Sequence, residues 1–262
     1  MKEWKDALKL HKETVLNDFD EKQIFGIFTY GSQNYNLASE NSDWDTIAVV
    51  IPTFKDLVFR KSYSENIVLD NGEHIVINDI YTFILNLKKQ NINFIETLFT
   101  DYKWINPIYK GHWAILSLNK ENIGRYDEFR TIYSVLCQAK HTLKQNPEDE
   151  KKVANAIRFY RFVEMYEAGF SYKDCITLTD AEKEVLLQIK LDKNKGKVDV
   201  NKIANELLRK EMKIINKKGD YYSDKDLTFR TKLDMLFENF IMDIIQFNLI
   251  LVVKEKKCVD LS

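Results

Sequence analysis

Glycine and proline are scarce in this 262-residue sequence, at eight and three residues. Together they are about 4% of the chain, where roughly 12% is usual. That scarcity excludes collagen-like repeats, Gly/Ser linkers and low-complexity arrays, and it argues against a turn-rich all-β sandwich. Cysteine is sparse and odd in number. Cys137, Cys175 and Cys258 are far apart, no CxxC occurs, and His11, His74, His112 and His141 do not pair at metal-ligand spacings. Neither a zinc site nor a disulfide framework is expected. No charge sign dominates, since 39 basic and 40 acidic residues leave a net charge of −1. No global field therefore attracts nucleic acid, and any such contact must come from a local patch. Long hydrophobic runs are also missing. Residues 240–253 form the longest apolar stretch, but Asp243, Gln246 and Asn248 interrupt it and it is too short for a bilayer. The N-terminal segment is charged throughout and has no signal-peptide core. These features predict a soluble, cytoplasmic protein with no membrane partner.

What the sequence does have is apolar mass: 45% hydrophobic and 13% aromatic residues, enough for a sizeable core. The N-terminal part alternates between signals. Residues 3–18 pattern as an amphipathic helix, 23–30 as a strand ending at Gly31, and 45–51 as a second strand closed by Pro52. Asp70-Asn71-Gly72 between residues 64–69 and 74–78 is a strong hairpin signal. A short helix is expected at 33–39. From Asp79 onward the period becomes helical, and after residue 115 strand signals vanish. Helices are expected at 126–145, 151–168, 179–190, 200–217 and 224–253, punctuated by Asn146-Pro147 and by Gly169. The fold class is α+β: a small mixed sheet with flanking helices over residues 1–115, then an all-helical unit over 116–262. No linker separates them, so close packing is expected.

The chemistry concentrates in residues 30–45, Tyr30-Gly31-Ser32 through Ser42-Asp43-Trp44-Asp45. Side chains two apart on a strand point to one face, so Asp43 and Asp45 converge as hard oxygen ligands suited to Mg²⁺ or Mn²⁺. Gly31 lets a phosphate approach the backbone, Ser32 can donate to it, and a following helix would add its N-terminal dipole. An anion cradle beside a carboxylate pair is what a metal-bound nucleoside triphosphate requires.

This segment resembles the G-S-x(9)-S-D-x-D signature of the DNA polymerase β-like nucleotidyltransferase superfamily. It is similar in particular to a bacterial and phage branch associated with RNA ligases, which reads GSxxYGLxxxxSDxD. Gly31, Ser32, Tyr35, Leu37, Ser42, Asp43 and Asp45 match, and Asn36 replaces the branch's second glycine. Residues 79–99 and 152–169 resemble the branch's helical segments, with Arg158 at its arginine and Asn155 at its histidine. The resemblance implies a polymerase β-like palm and two Mg²⁺ ions held by Asp43, Asp45 and a third carboxylate. It also implies basic residues of the helical unit on the triphosphate: Arg158 matches directly, and Lys140 lies on the helix before it.

The branch's third carboxylate position falls on His74 here, with Glu73 beside it. A bulge after Gly72 would present Glu73, which is the preferred catalytic and metal-binding carboxylate. His74 is a poorer substitute ligand, and Asp79 shares Glu73's strand face. The resemblance thus implies transfer of a nucleoside monophosphate from an NTP to an acceptor hydroxyl, such as the end of a tRNA or another RNA. Transfer to a protein hydroxyl, or nucleotide binding without turnover, are the alternatives. The basic run at 193–197 is a further candidate grip for RNA phosphates, with a surface turn as its plainer explanation.

Overall fold

A computed structural model of the chain describes residues 3–39, 42–145, 149–191 and 199–259. Asn146-Pro147 and the basic run at 193–197 lie outside the described residues. Five strands form one mixed sheet: β1 (Ile24–Tyr30), β2 (Asp45–Val50), β3 (Ser64–Val68), β4 (His74–Asp79) and β5 (Lys103–Ile105), in the order β3-β4-β2-β1-β5. β1 and β2 are antiparallel, as are β3 with β4 and β1 with β5, while β2 and β4 run parallel. The fold class is α+β, as the sequence predicts. The Asn-Gly hairpin forms between β3 and β4. β5, an edge strand of three residues, is the strand that patterning misses, because so short a run carries no period.

Helix α1 (Trp4–Val15) covers one face of the sheet. Its Leu8 and Val15 pack with Ile24, Ile27, Ala48, Val50, Ile75 and Ile77. The other face meets the helical body. That body comprises α3 (Ile80–Lys88), α4 (Ile92–Ile95), α5 (Lys110–Leu118), α6 (Lys120–Gly124), α7 (Glu128–Gln145), α8 (Glu150–Glu167), α9 (Tyr172–Ile176), α10 (Asp180–Lys190), α11 (Val200–Asn216) and α12 (Asp224–Val259). A short helix, α2 (Phe54–Val58), follows β2. A single apolar cluster runs from Phe25, Phe28, Ile47 and Val49 into Phe159, Phe162, Tyr172 and Phe240. Because both sheet faces are covered, the central strands read as continuous apolar runs. Gly26 adjusts this pattern. The β1–β2 register shifts between Ile24 and Gly26, which sets Phe25 and Phe28 on the helical face and Ile24 and Ile27 beneath α1. A Cβ at Gly26 would stand 2.9 Å from Phe28 and 3.0 Å from the Trp104 carbonyl.

Register fixes the side on which chemistry gathers. Thr46 pairs with Ile75 and Ile47 with Val76 across β2 and β4. Ile47 and Val49 face the helical body, whereas Ile75 and Ile77 lie under α1. By alternation Asp45 and His74 share the helical side, and Glu73 turns to α1.

Candidate functional site

A cavity of about 300 Å³ opens where β1 ends and β2 begins, a volume within the range of small-molecule sites. The sheet side contributes Gly31, Ser32, Asp43 and Asp45, and the helical side Lys151, Asn155, Arg158 and Lys190. Tyr30 and Asp45 are opposite each other in the ladder, so the loop between them starts and finishes at one place. Charge is divided across the cavity, with carboxylates on the sheet and cations on the helices.

The loop is held by local bonds. Gly31 adopts φ +89°, and its N–H donates to Glu96 Oε1 at 2.6 Å. The Asn34 and Leu37 N–H groups close turns onto Gly31 and Ser32 carbonyls, and the Asn34 amide donates to the Thr29 carbonyl at 2.8 Å. Residues 33–39 therefore form turns and not the expected helix. Asn36 has φ +61°, a left-handed conformation that asparagine tolerates, so it occupies the glycine position of the resembled motif with glycine's backbone geometry. No helix dipole points at the cavity from this loop. Gly31's amide is engaged inward, which leaves Ser32 as the loop's donor.

From the helical side, Lys190 of α10 donates to the Leu37 carbonyl at 3.2 Å and reaches Ser42 Oγ at 3.4 Å, clasping the loop just before Asp43. Burial lowers the Lys190 pKa and Lys151 pushes it the same way, while Asp43 opposes. On α8, Lys151, Asn155 and Arg158 share one face at i, i+4 and i+7 and all line the cavity.

Arg158 is 3% exposed. Its guanidinium lies 3.6 Å from the Tyr35 ring centre and 4.3 Å from that of Phe159, yet its Nε and Nη1 have no hydrogen-bond partner. Leaving such donors buried and unpaired is costly, and an anion in the cavity would satisfy them. Beside it sits Glu96, wholly buried, whose Oε1 accepts the Gly31 N–H and whose Oε2 has no hydrogen-bond partner. Burial raises its carboxyl to about 8, against the opposing effects of Tyr35, the Gly31 N–H and Arg158. Glu96 is a lone acid in the apolar run at 94–99, a legible signal of a buried polar group.

Asp45 Oδ1 accepts the His74 N–H at 2.9 Å. Burial raises the Asp45 carboxyl above its ordinary value and nearby Asp43 adds to this, against the His74 N–H. A cation beside the pair would reverse both effects.

The other sequence expectations are corrected here. Glu73 does not join Asp43 and Asp45. It is buried on the α1 side, where its Oε2 meets His11 Nε2 at 3.1 Å, and His11 Nδ1 bonds Thr46 Oγ1 at 2.8 Å. Asp79 stands at the far end of β4, capping α3 through the Thr82 N–H at 2.7 Å and accepting from Ser62 and Tyr63. His74 shares Asp45's face but does not line the cavity, its ring lying 3.4 Å from the Asn66 amide. Lys140 faces away to α11 and is paired with Glu211. Lys151 and Lys190, which sequence reasoning did not select, take the place assigned to Lys140. Among the described residues no group of three or more His, Cys, Asp or Glu side chains is arranged to hold a metal. Asp43 and Asp45 fit a single Mg²⁺ or Mn²⁺ that brings its own phosphate oxygens, the usual way Mg²⁺ binds. A second ion depending on a third carboxylate is not matched.

Gly31→Ala is expected to cost about 1–3 kcal/mol, because φ +89° is strained for any L side chain. Nothing lies within 4 Å of the added Cβ, so the loss is of backbone conformation and not of space. Thermal unfolding with and without nucleotide measures it, and an unchanged Tm would contradict the left-handed loop.

The chain matches no protein-family profile and no curated protein. Among the described residues no helix is long and apolar enough to cross a membrane.

Proposed function

We propose that this protein is a divalent-metal-dependent nucleotidyltransferase. It takes a nucleoside triphosphate into the cavity between the β1–β2 loop and α8 and transfers the nucleoside monophosphate to an acceptor hydroxyl, such as an RNA end. The observation that carries the reading is Arg158: a buried guanidinium with two unpaired donors, lining the same cavity as Ser32, Asp43 and Asp45. An anion and a cation are both called for there, and a metal-bound polyphosphate supplies both.

Asp43 and Asp45 would hold the ion, which neutralises the developing charge on the leaving pyrophosphate. Ser32 donates to a phosphate oxygen, and Arg158, Lys151 and Lys190 balance the remaining charge. The acceptor hydroxyl gives up its proton to solvent and its oxygen bonds to the α-phosphorus, the bond from that phosphorus to the bridging oxygen breaks, and pyrophosphate leaves. Catalysis is chiefly positioning and fixed electrostatics.

A second reading, nucleotide binding without transfer, is favoured by the commitment of Glu73 to His11. Incubating the protein with each α-labelled NTP, Mg²⁺ or Mn²⁺, pooled tRNA, other RNA and cell protein separates the two. Label should appear on RNA and fall at least a thousandfold in Asp43→Asn plus Asp45→Asn. Tight metal-dependent NTP binding with no labelled acceptor would establish the second reading, and label on protein alone would redirect the acceptor.

A further inference from the structure

With balanced overall charge, any polynucleotide contact needs a local patch, and the surface between α1 and β5 holds one. Trp4, Lys5, Leu8, Lys9 and Lys12 of α1 meet Lys103 and Trp104 of β5 around a groove of about 350 Å³. Four lysines and no acid line it. Helical spacing accounts for this, because positions 4, 5, 8, 9 and 12 share a face that Glu3, Asp6 and Glu13 avoid. Lys103 contributes its stem, its ammonium donating to the Thr100 carbonyl and lying by the Trp113 ring, so Lys5, Lys9 and Lys12 are the ones left to meet phosphates. Both indoles are half-buried. Lys12 Nζ lies 4.1 Å from the Trp104 ring centre and Lys5 Nζ 5.7 Å from that of Trp4. Lys9 and Lys12 also reach Glu13 at 4.0 Å and Glu21 at 2.5 Å outside the groove. Exposed pairs of that kind are weak, and phosphates can replace them.

Ring contacts connect the groove to the strand segment that carries the carboxylates. Trp4 packs on Tyr102 with ring centres 5.8 Å apart, and Tyr102 meets Trp44 edge-on at 5.4 Å. Trp44 stands between Asp43 and Asp45 and by alternation faces the α1 side while they face the cavity. The groove is thus two ring contacts from the residue between the carboxylates, and a polynucleotide end must round the sheet edge to reach them.

We infer that this groove holds the unpaired end of an RNA strand, the acceptor, with bases against Trp4 and Trp104 and phosphates on the lysines. The inference rests on the nucleotidyl-transfer reading of the cavity. Aromatic stacking accepts any base, and lysines take phosphates without regard to sequence. The groove therefore selects for single-strandedness, and a duplex, whose base faces are hidden, does not fit.

The test is binding of a labelled ten-nucleotide RNA to the full chain across a salt series. Binding should weaken with salt and quench tryptophan emission. Lys5→Glu plus Lys9→Glu, both at exposed positions, should weaken it at least tenfold and lower the log–log salt slope by about 1.4, two phosphates at roughly 0.7 each. The same variant should bind metal–NTP unchanged, which separates the groove from the cavity. Equal RNA binding by the variant would overturn the inference. So would an RNA duplex bound as tightly as the RNA strand, or no RNA binding by a protein that binds NTP. RNA held in the groove of a protein that binds no nucleotide would support the groove and sink the transfer reading alone.

Discussion

Arg158→Met should weaken metal–NTP binding by about two to four orders of magnitude while leaving the fold nearly as stable as before. The two effects separate because of how Arg158 is placed. Nε and Nη1 have no protein partner, so a phosphate would gain two charge-assisted hydrogen bonds at roughly 1.5–3 kcal/mol each, or about 10²–10⁴-fold in affinity. In the free protein the substitution has opposing consequences. It removes the attraction of the guanidinium to the Tyr35 and Phe159 rings, and it relieves the desolvation of a buried charge. Their difference should be within about 1 kcal/mol, or roughly 2 °C in Tm. Titration calorimetry with Mg²⁺ and NTP measures the first effect and scanning calorimetry the second. Lys140→Ala is the control, since Lys140 is engaged by Glu211 outside the cavity, and its NTP affinity should be unaltered. Unchanged nucleotide affinity in Arg158→Met would remove the observation on which the functional reading stands.

Raising the pH should strip stability from the protein through Glu96, and Glu96→Gln should abolish that loss. The Glu96 carboxyl is raised from 4.5 to about 8 by burial. The folded state thus keeps a proton that the unfolded chain releases above pH 4.5. The stabilisation is fully present below about pH 4.5 and is lost as pH rises through about 8. The gap between the two values corresponds to roughly 5 kcal/mol. Glutamine is nearly isosteric, still accepts the Gly31 N–H and never ionises. Between pH 5 and 9 the difference in Tm between the wild type and the variant should change sign in favour of the variant. Asp56 and Glu182, whose carboxyls are lowered by their hydrogen bonds, act at the acid end, and the comparison with the variant cancels groups common to both proteins, the raised Asp45 carboxyl and lowered Lys190 amine among them. Parallel Tm curves for the two proteins would contradict a protonated Glu96.

Nearness in the chain decided what was legible. Gly31 and Ser32 end one strand, and Asp43 and Asp45 begin the next. Period-2 alternation and the hairpin connection suffice to bring them together, and the capping box at Thr179 and Glu182 is similarly local. The misplaced site residues depend on partners distant in sequence. Alternation opposes Glu73 to His74, but only His11, 62 residues away, shows which of them faces α1. Lys140 looks like a cavity residue until α11 supplies Glu211, 71 residues on. Lys190 closes on the β1–β2 loop across 148 residues, and no motif foretells it. Glu96 was legible in another way: an acid inside Phe94-Ile95-Glu96-Thr97-Leu98-Phe99 must be neutral or partnered when buried, and it proves to support the very glycine on which the loop turns.

The division of charge across the cavity has a thermodynamic consequence. The sheet supplies Asp43 and Asp45, while the helices supply Lys151, Arg158 and Lys190, so in the free protein the two sides screen each other. A metal ion alone would neutralise the carboxylates and leave the lysines facing less negative charge. A polyphosphate alone would do the converse. Arriving together, the two restore electroneutrality on both walls. Ion and polyanion should accordingly bind with positive, reciprocal cooperativity, each raising the affinity of the other by one common factor. The cavity then behaves as a coincidence detector for a complete metal–nucleotide complex.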